Sequence, residues 1–200
     1  MPEQLVPATV TTVSPETLYL ALRAAWPEIV GVPAERQSLL LLIGHFAFET
    51  GWGHSCWNYN LGNVKHVPGD GRDYYQIHCT EIINGKVVMF DPPNPATSFR
   101  AFSTLTEGVE DYLRILRGQF GYAWPFVDTG DAAGFCHALH ERHYYTDDEQ
   151  HYTASVISCM RSADHMIPAD PDPAPSIQAA HAEAIAGLVT SGPADPSETG

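Results

Sequence analysis

The stretch 39–48 limits most strongly what this chain can fold into. It is apolar apart from Gly44 and His45, so a helix built from it is apolar nearly all round. Such a helix has to be covered by other elements on every side, and it is expected to form the buried centre of the domain. It is too short to cross a bilayer. The helix should begin after Pro33, run through Glu35 and end at about Glu49, where Thr50-Gly51-Trp52-Gly53 stops it.

Elements able to cover that centre are legible on both sides of it. Ser14 as N-cap, Pro15 at the first helical position and Glu16 in the first turn announce a helix. It shows Leu18, Leu22, Ala25 and Trp26 on one face and is expected to stop at Pro27. Further on, Ser103 or Thr104 caps a helix carrying Leu105, Val109, Tyr112, Leu113 and Leu116. Asp131 opens a shorter one with Phe135 and Leu139. Thr146 with Glu149 has the capping-box pattern for a last long helix that carries Tyr152, Val156, Cys159 and Ala163.

The middle, 58–102, has a different character, with prolines, glycines and aromatics. Strands over 74–83 and 86–90 flank Asn84-Gly85, the favoured two-residue type I′ turn. The fold class is therefore α+β and mainly helical, with a small β-hairpin lobe inserted after the central helix. A single folded domain is expected over 1–167. Residues 168–176 read as a stiff Pro-rich linker, and 177–200 as a weak helix followed by a disordered acidic tail.

Composition excludes several functions. With 24 acidic against 10 basic residues the net charge is −14, and five of the acids lie beyond Ala169. Ten basic residues scattered along the sequence offer no patch for nucleic-acid phosphates or for an anionic membrane surface. A hydrophobic fraction of 44% excludes a chain disordered throughout. The start has neither a basic n-region nor an apolar h-region, so synthesis in the cytoplasm without a Sec-type signal peptide is expected. The four cysteines form no Cys-x-x-Cys pair, and the grouping of His54, Cys56, His78 and Cys79 matches no common zinc template. Reduced thiols are expected, and neither a metal nor a cofactor.

Glu49 is the residue that points to chemistry. It closes a helix whose preceding turns, at Leu42 and Phe46, are apolar on its own face. The negative end of the helix dipole and desolvation both favour a protonated carboxyl there, which suits a general acid. An ordinary solvated glutamate near a helix end is the competing reading.

The residues around it carry a family resemblance. Glu49-Thr-Gly-Trp-Gly-His-Ser55 is followed by Asn58-Tyr-Asn-Leu-Gly-Asn-Val-Lys65, then by Thr80-Glu81 with Asn84-Gly85. Phe99-Arg-Ala-Phe-Ser103 comes next, and last Tyr144-Tyr-Thr-Asp147 with Tyr152. These five pieces, in this order, resemble the signature of glycoside hydrolase family 73. Its members are bacterial and phage N-acetylglucosaminidases of the lysozyme-like superfamily. The resemblance implies a lysozyme-like catalytic domain that hydrolyses the β-1,4 bond between N-acetylglucosamine and N-acetylmuramic acid in peptidoglycan strands.

It also implies roles. Glu49 matches the general-acid position. Glu81, opposite Val88 if the turn is Asn84-Gly85, would activate water or stabilise the oxocarbenium-like transition state. Participation by the substrate's own acetamido group is the alternative to a second carboxylate. Tyr144 matches the late tyrosine that would bind the acetamido group or orient water, and Tyr145 stands where the pattern has a small residue. Sugars stack on flat aromatic faces, so Trp52, Trp57, Tyr59 and Tyr145 are the substrate-binding candidates. Asn58 and Asn60 are expected to satisfy backbone groups in a tight turn.

Two other functions compete. A muramidase or lytic transglycosylase would place an acid at the same helix end and cut the same polymer. A non-catalytic wall-binding or structural component of a phage tail or secretion assembly would use the linker and tail to dock on a protein partner. Without an export signal, action in the periplasm or cell wall requires delivery by a holin, a virion or a secretion machine, as for an endolysin or an injected effector.

Overall fold

The computed structural model describes residues 3–83, 86–93, 95–145 and 147–169, with main chain alone at 79–83, 86, 87 and 96. The central helix forms as its composition demands. Helix α2, Arg36–Thr50, follows the N-cap Glu35, and Leu39, Leu40, Leu41, Leu42 and Ile43 are each at most 1% exposed. Burying one such side chain contributes roughly 1.5–3 kcal/mol, so the covering helices are held chiefly by this surface.

Helix α1, Pro15–Val30, starts at the cap foreseen, with the Ser14 side chain accepting from Thr17 N–H. It does not stop at Pro27. Proline gives up only its own donor, and its carbonyl still accepts from the N–H of Gly31, the left-handed residue that ends the helix. Trp26, buried against Trp124 with ring centroids 5.3 Å apart, and the packed Ile29 and Val30 favour the extra turn.

Helix α3, Leu105–Arg117, opens on a complete capping box between Thr104 and Glu107. It buries Val109, Tyr112, Leu113 and Leu116, as its spacing predicts. A short helix α4, Trp124–Thr129, was not foreseen from the sequence. Helix α5, Ala132–Glu141, is capped by Asp131. The last helix, α6, Glu149–Met166, takes Asp148 as N-cap, its side chain accepting from His151 N–H. The capping box expected at Thr146 falls on a residue outside those described.

The packing of α6 on α2 depends on Gly44. A Cβ built there would lie 2.9 Å from Met160 Cβ, from Met160 N and from the Val156 carbonyl oxygen. Two of those three atoms are backbone, so nothing can rotate aside, and α6 lies directly on α2.

The small lobe differs from the single long hairpin predicted. Strands β2, Cys79–Ile83, and β3, Lys86–Phe90, pair antiparallel with Glu81 opposite Val88, the register that a two-residue turn requires. Asn84 and Gly85 themselves lie outside the described residues. Tyr74–Gln76 forms a separate strand, β1, which pairs with β4, Ser98–Arg100. The reason is a second small core. Tyr75, fully buried, stacks on Phe99 with centroids 5.6 Å apart, and Val6, Ala8, Trp57 and Ile77 pack around them. Residues 5–10 are strapped to this lobe by bridges from Leu5 to Tyr74 and from Val10 to Trp57.

A buried ion cluster joins the lobe to the helices. Asp111 of α3, 2% exposed, accepts from Arg100 Nη1 at 3.0 and 3.2 Å and from Arg72 Nη2 at 3.0 Å. The chain divides into two units between Ile167 and Pro168, and all the elements above belong to the first. The expectations for the linker and tail fall, from residue 170 onward, outside the described residues.

Gly44→Ala gives the sharpest stability test. Helix propensity alone would favour alanine by about 1 kcal/mol. Overpacking against backbone costs about 1–3 kcal/mol, so the net effect expected is destabilisation. Urea denaturation should show a lower midpoint with unchanged slope; an equal or higher midpoint contradicts the packing described.

Candidate active site

Local sequence explains why a carboxyl group is displayed at the end of α2. Thr50 Oγ1 donates to the Phe46 carbonyl at 2.6 Å and accepts from Gly53 N–H at 3.0 Å. Gly51 turns left-handed at φ 55°, and Trp52 follows at φ 59°. The helix is therefore cut within one residue of Glu49, whose side chain is 20% exposed. Asn63 Nδ2 donates to the Glu49 carbonyl at 3.3 Å, tying the following loop to the helix end.

Glu49 lines a cavity of about 510 Å³ together with Asn63, Lys65, Arg100, Arg142 and Tyr144. Tyr152, one turn into α6, donates its hydroxyl to Glu49 Oε1 at 2.5 Å. The Tyr152 ring is held by Phe48, edge-on at 4.9 Å, and by Tyr145, stacked at 3.5 Å. Behind the carboxyl, His45 places Nε2 3.7 Å from Oε1 and shares a hydrogen bond of 2.7 Å between Nδ1 and the Tyr112 hydroxyl.

The electrostatics of these neighbours are consistent. Burial first, and the Glu49 charge second, push the hydroxyls of Tyr112, Tyr144 and Tyr152 well above the ordinary phenol range. All three stay protonated and able to donate. Burial pushes the His45 imidazole down, with the Glu49 charge opposing, so the ring is neutral.

The predicted site residues divide into groups. Glu49 and Tyr144 share the cavity. His143, at φ 58°, turns the chain after α5, and Tyr144 N–H bonds back to the Leu139 carbonyl at 3.1 Å. Trp57 lines a neighbouring cavity of about 620 Å³ with Gln76 and Phe99, and Asn63 lines both cavities. Tyr145 turns away, its hydroxyl donating to the Cys136 carbonyl at 3.0 Å. Tyr59 lines a different hollow with Thr9 and Phe102, and half-buried Trp52 packs against the helical core. Glu81 has its place on β2, but its side chain lies outside the described residues.

Asn58 and Asn60 hold backbone, as expected. Asn60 bonds Val64 N–H and the carbonyls of Val64 and Arg100, while Asn58 bonds Thr9 and Pro7. His45, Tyr112, Arg142 and Tyr152, the last read only as part of the motif and of the final helix, went unrecognised as site residues. For His45 a signal existed: it is the polar side chain of the apolar run and stands four residues before Glu49, on the same helix face.

Free thiols are present at Cys56, Cys136 and Cys159. Burial raises the Cys56 thiol and pushes Cys136 up to about 12, so both stay protonated. Among the described residues, Glu3, His66 and Asp70 have donor atoms close enough for a metal. All three already serve contacts within the protein, however. Glu3 accepts from Gly71 and Gly69 N–H, which with His66 hold its carboxyl below the usual range, and Asp70 Oδ2 accepts from Arg100 Nε at 2.9 Å. The trio is a clamp for the N-terminal strap.

Comparison with known proteins agrees with the fold and motifs. The model of the glucosaminidase family, described as mannosyl-glycoprotein endo-β-N-acetylglucosaminidase, matches residues 34–165. The peptidoglycan hydrolase FlgJ of Vibrio cholerae is 26% identical over 134 residues, which is 63% of this chain and 37% of that protein. FlgJ of Vibrio parahaemolyticus is 25% identical over 134 residues, 41% of its length. The chain thus spans well under half of these relatives. Among solved structures, the glycoside hydrolase domain of Salmonella typhimurium FlgJ superposes with a TM-score of 0.51 at 26% identity, covering 74% of this chain and 94% of that one. A peptidoglycan hydrolase mutant from Sphingomonas sp. A1 shares the fold, with a TM-score of 0.57 at 21% identity over 74% of this chain and 95% of that one. The five motifs read from the sequence and the matched span coincide, and the chain belongs to the glucosaminidase family of glycoside hydrolases.

Proposed function

We propose that this domain cleaves the glycan strand of peptidoglycan as an endo-β-N-acetylglucosaminidase, with Glu49 as general acid. The observation that carries the reading is the setting of that carboxyl. It ends a buried helix, is held at Oε1 by the Tyr152 hydroxyl, and faces a cavity large enough for a sugar ring. A carboxyl so fixed protonates the glycosidic oxygen as the bond to the anomeric carbon breaks, and the electron pair leaves with the departing sugar.

The opposite face of the anomeric carbon needs a second partner. Glu81 activating water, or the substrate's acetamido group attacking in its place, each completes the reaction. Tyr144 on the cavity wall is suited to bind that acetamido group or the water. Trp57 in the adjoining cavity, across Asn63, is suited to stack the next sugar along the strand. Lys65 and Arg142 support the choice of polymer, because the peptide stems on muramyl residues carry carboxylates and these side chains line the same cavity as Glu49.

Among the described residues no helix is long and apolar enough to cross a membrane. Action in the periplasm or wall follows from the substrate; a holin, virion or secretion machine would deliver the domain there, and residues 168–200 would serve docking to a protein partner.

Two experiments test the reading. Glu49→Gln should abolish cleavage of purified cell wall while circular dichroism and melting stay near the parent; retained cleavage would identify a different acid. Mass spectrometry of the products should show reducing N-acetylglucosamine ends, whereas anhydromuramic ends would assign a transglycosylase. Separately, Tyr152→Phe removes a hydrogen bond to a chargeable group, worth roughly 1.5–3 kcal/mol. A fall in kcat of about ten- to a hundredfold at unchanged KM is expected, and a parental kcat would remove Tyr152 from the machinery.

A further inference from the structure

His45 Nε2 is a buried polar atom without a hydrogen-bond partner in the interior of a domain, and such an atom calls for an explanation. The side chain has no solvent exposure. Its ring is walled by the Phe135 edge from α5 at 5.2 Å, by Tyr144 at 5.5 Å and by Tyr112 from α3 at 6.1 Å. The titratable groups facing it are Glu49 on its own helix, Tyr112, Tyr144 and, across the carboxyl, Tyr152 on α6. Glu49 Oε1, an oxygen able to accept a hydrogen bond, lies 3.7 Å from Nε2.

The other ring nitrogen decides which proton His45 carries. Tyr112 Oη lies 2.7 Å from Nδ1 and 3.5 Å from the Leu42 carbonyl. The short contact is the strong one, and with Tyr112 as donor the neutral ring keeps its hydrogen on Nε2. If instead Nδ1 carried the hydrogen, it would donate to the phenol oxygen, the phenol's own hydrogen would be left with the long contact to Leu42, and a bare lone pair would face the carboxyl oxygen.

We propose that His45 is a positioning residue for the acid. Its Nε2–H, set by the Tyr112 hydroxyl, joins Tyr152 in directing two donors at Glu49 Oε1 and so assigns the transferable proton to Oε2, the oxygen left for the substrate. The inference rests on Glu49 being the acid. At 3.7 Å the His45 contact is longer than a hydrogen bond, and it is expected to tighten when the cavity closes on a sugar, as catalytic hydrogen bonds in unliganded sites do. Burial, which keeps the imidazole neutral, supports the arrangement: a cation at this point would hold Glu49 as the carboxylate and cancel its use as an acid.

Nitrogen-15 NMR of histidine-labelled protein reads the tautomer directly. His45 should be neutral and protonated on Nε2 across about pH 5 to 8, whereas an Nδ1-protonated ring overturns the proposal. Kinetics on cell wall read the consequence. His45→Leu fills the space without a donor, and kcat should fall about tenfold or more at unchanged KM. Loss of a donor favours the neutral carboxyl, so the alkaline limb of the pH–kcat profile should move to higher pH. His45→Gln restores an N–H and should return most of the activity and the parental limb. A His45→Leu enzyme with parental kcat and limb overturns the proposal, as does a folded His45→Gln enzyme no better than His45→Leu. If His45→Leu does not fold, Tyr112→Phe replaces it, with the same direction of limb shift expected and an unmoved limb contradicting the account. Glu49→Gln separates the two levels: activity in that variant removes the acid itself, while a dead Glu49→Gln beside a parental His45→Leu removes only the role of His45.

Discussion

The contact between Tyr152 and Glu49 ties together what the rest of the molecule arranges. It joins the last helix to the end of the central one, and each partner is fixed by constraints reaching far from the cavity. Glu49 is where it is because α2 is buried along its length and then cut by Thr50 and Gly51. Tyr152 is where it is because Gly44 lets α6 lie on α2, and because Phe48 and Tyr145 hold its ring. A side chain at position 44 would push the two helices apart and lengthen the Tyr152 hydrogen bond that orients the carboxyl.

The surroundings of that bond are of one electrostatic kind. Buried Tyr112 and Tyr152, half-buried Tyr144 and a neutral histidine stand around a single carboxyl, with Tyr152 donating to it and Tyr112 bonded to the histidine, and burial keeps every one of them uncharged. Lys65, Arg100 and Arg142 line the same cavity as the carboxyl. Arg100 is largely neutralised by Asp70 and Asp111, so its role is to brace the small lobe against α3. A chain of net charge −14 thus brings three of its ten basic side chains to the lining of one cavity.

Much of this was legible in the sequence because it depends on local rules. The apolar run at 39–48 announces the central helix, Ser14 announces one cap and the pair Ser103-Thr104 another, which falls on Thr104, and the two-residue turn fixes Glu81 opposite Val88. What escaped depends on partners distant along the chain. Tyr74–Gln76 leaves the hairpin because Tyr75 finds Phe99, and α1 passes Pro27 because Trp26 finds Trp124. The basic residues look scattered in one dimension, yet positions 65, 100 and 142 meet at one cavity. His45 was visible as the break in an apolar helix, but its meaning required Tyr112, 67 residues away.

The central claim, that Glu49 is the group that reaches the scissile bond, is tested most directly by a crystal structure of Glu49→Gln with an uncleaved muramyl glycan bound. The account predicts the residue 49 side chain at about 2.6–3.2 Å from a glycosidic oxygen, with Tyr144 beside the same sugar. A strand bound in the Trp57 cavity with no glycosidic oxygen within reach of position 49 would contradict it.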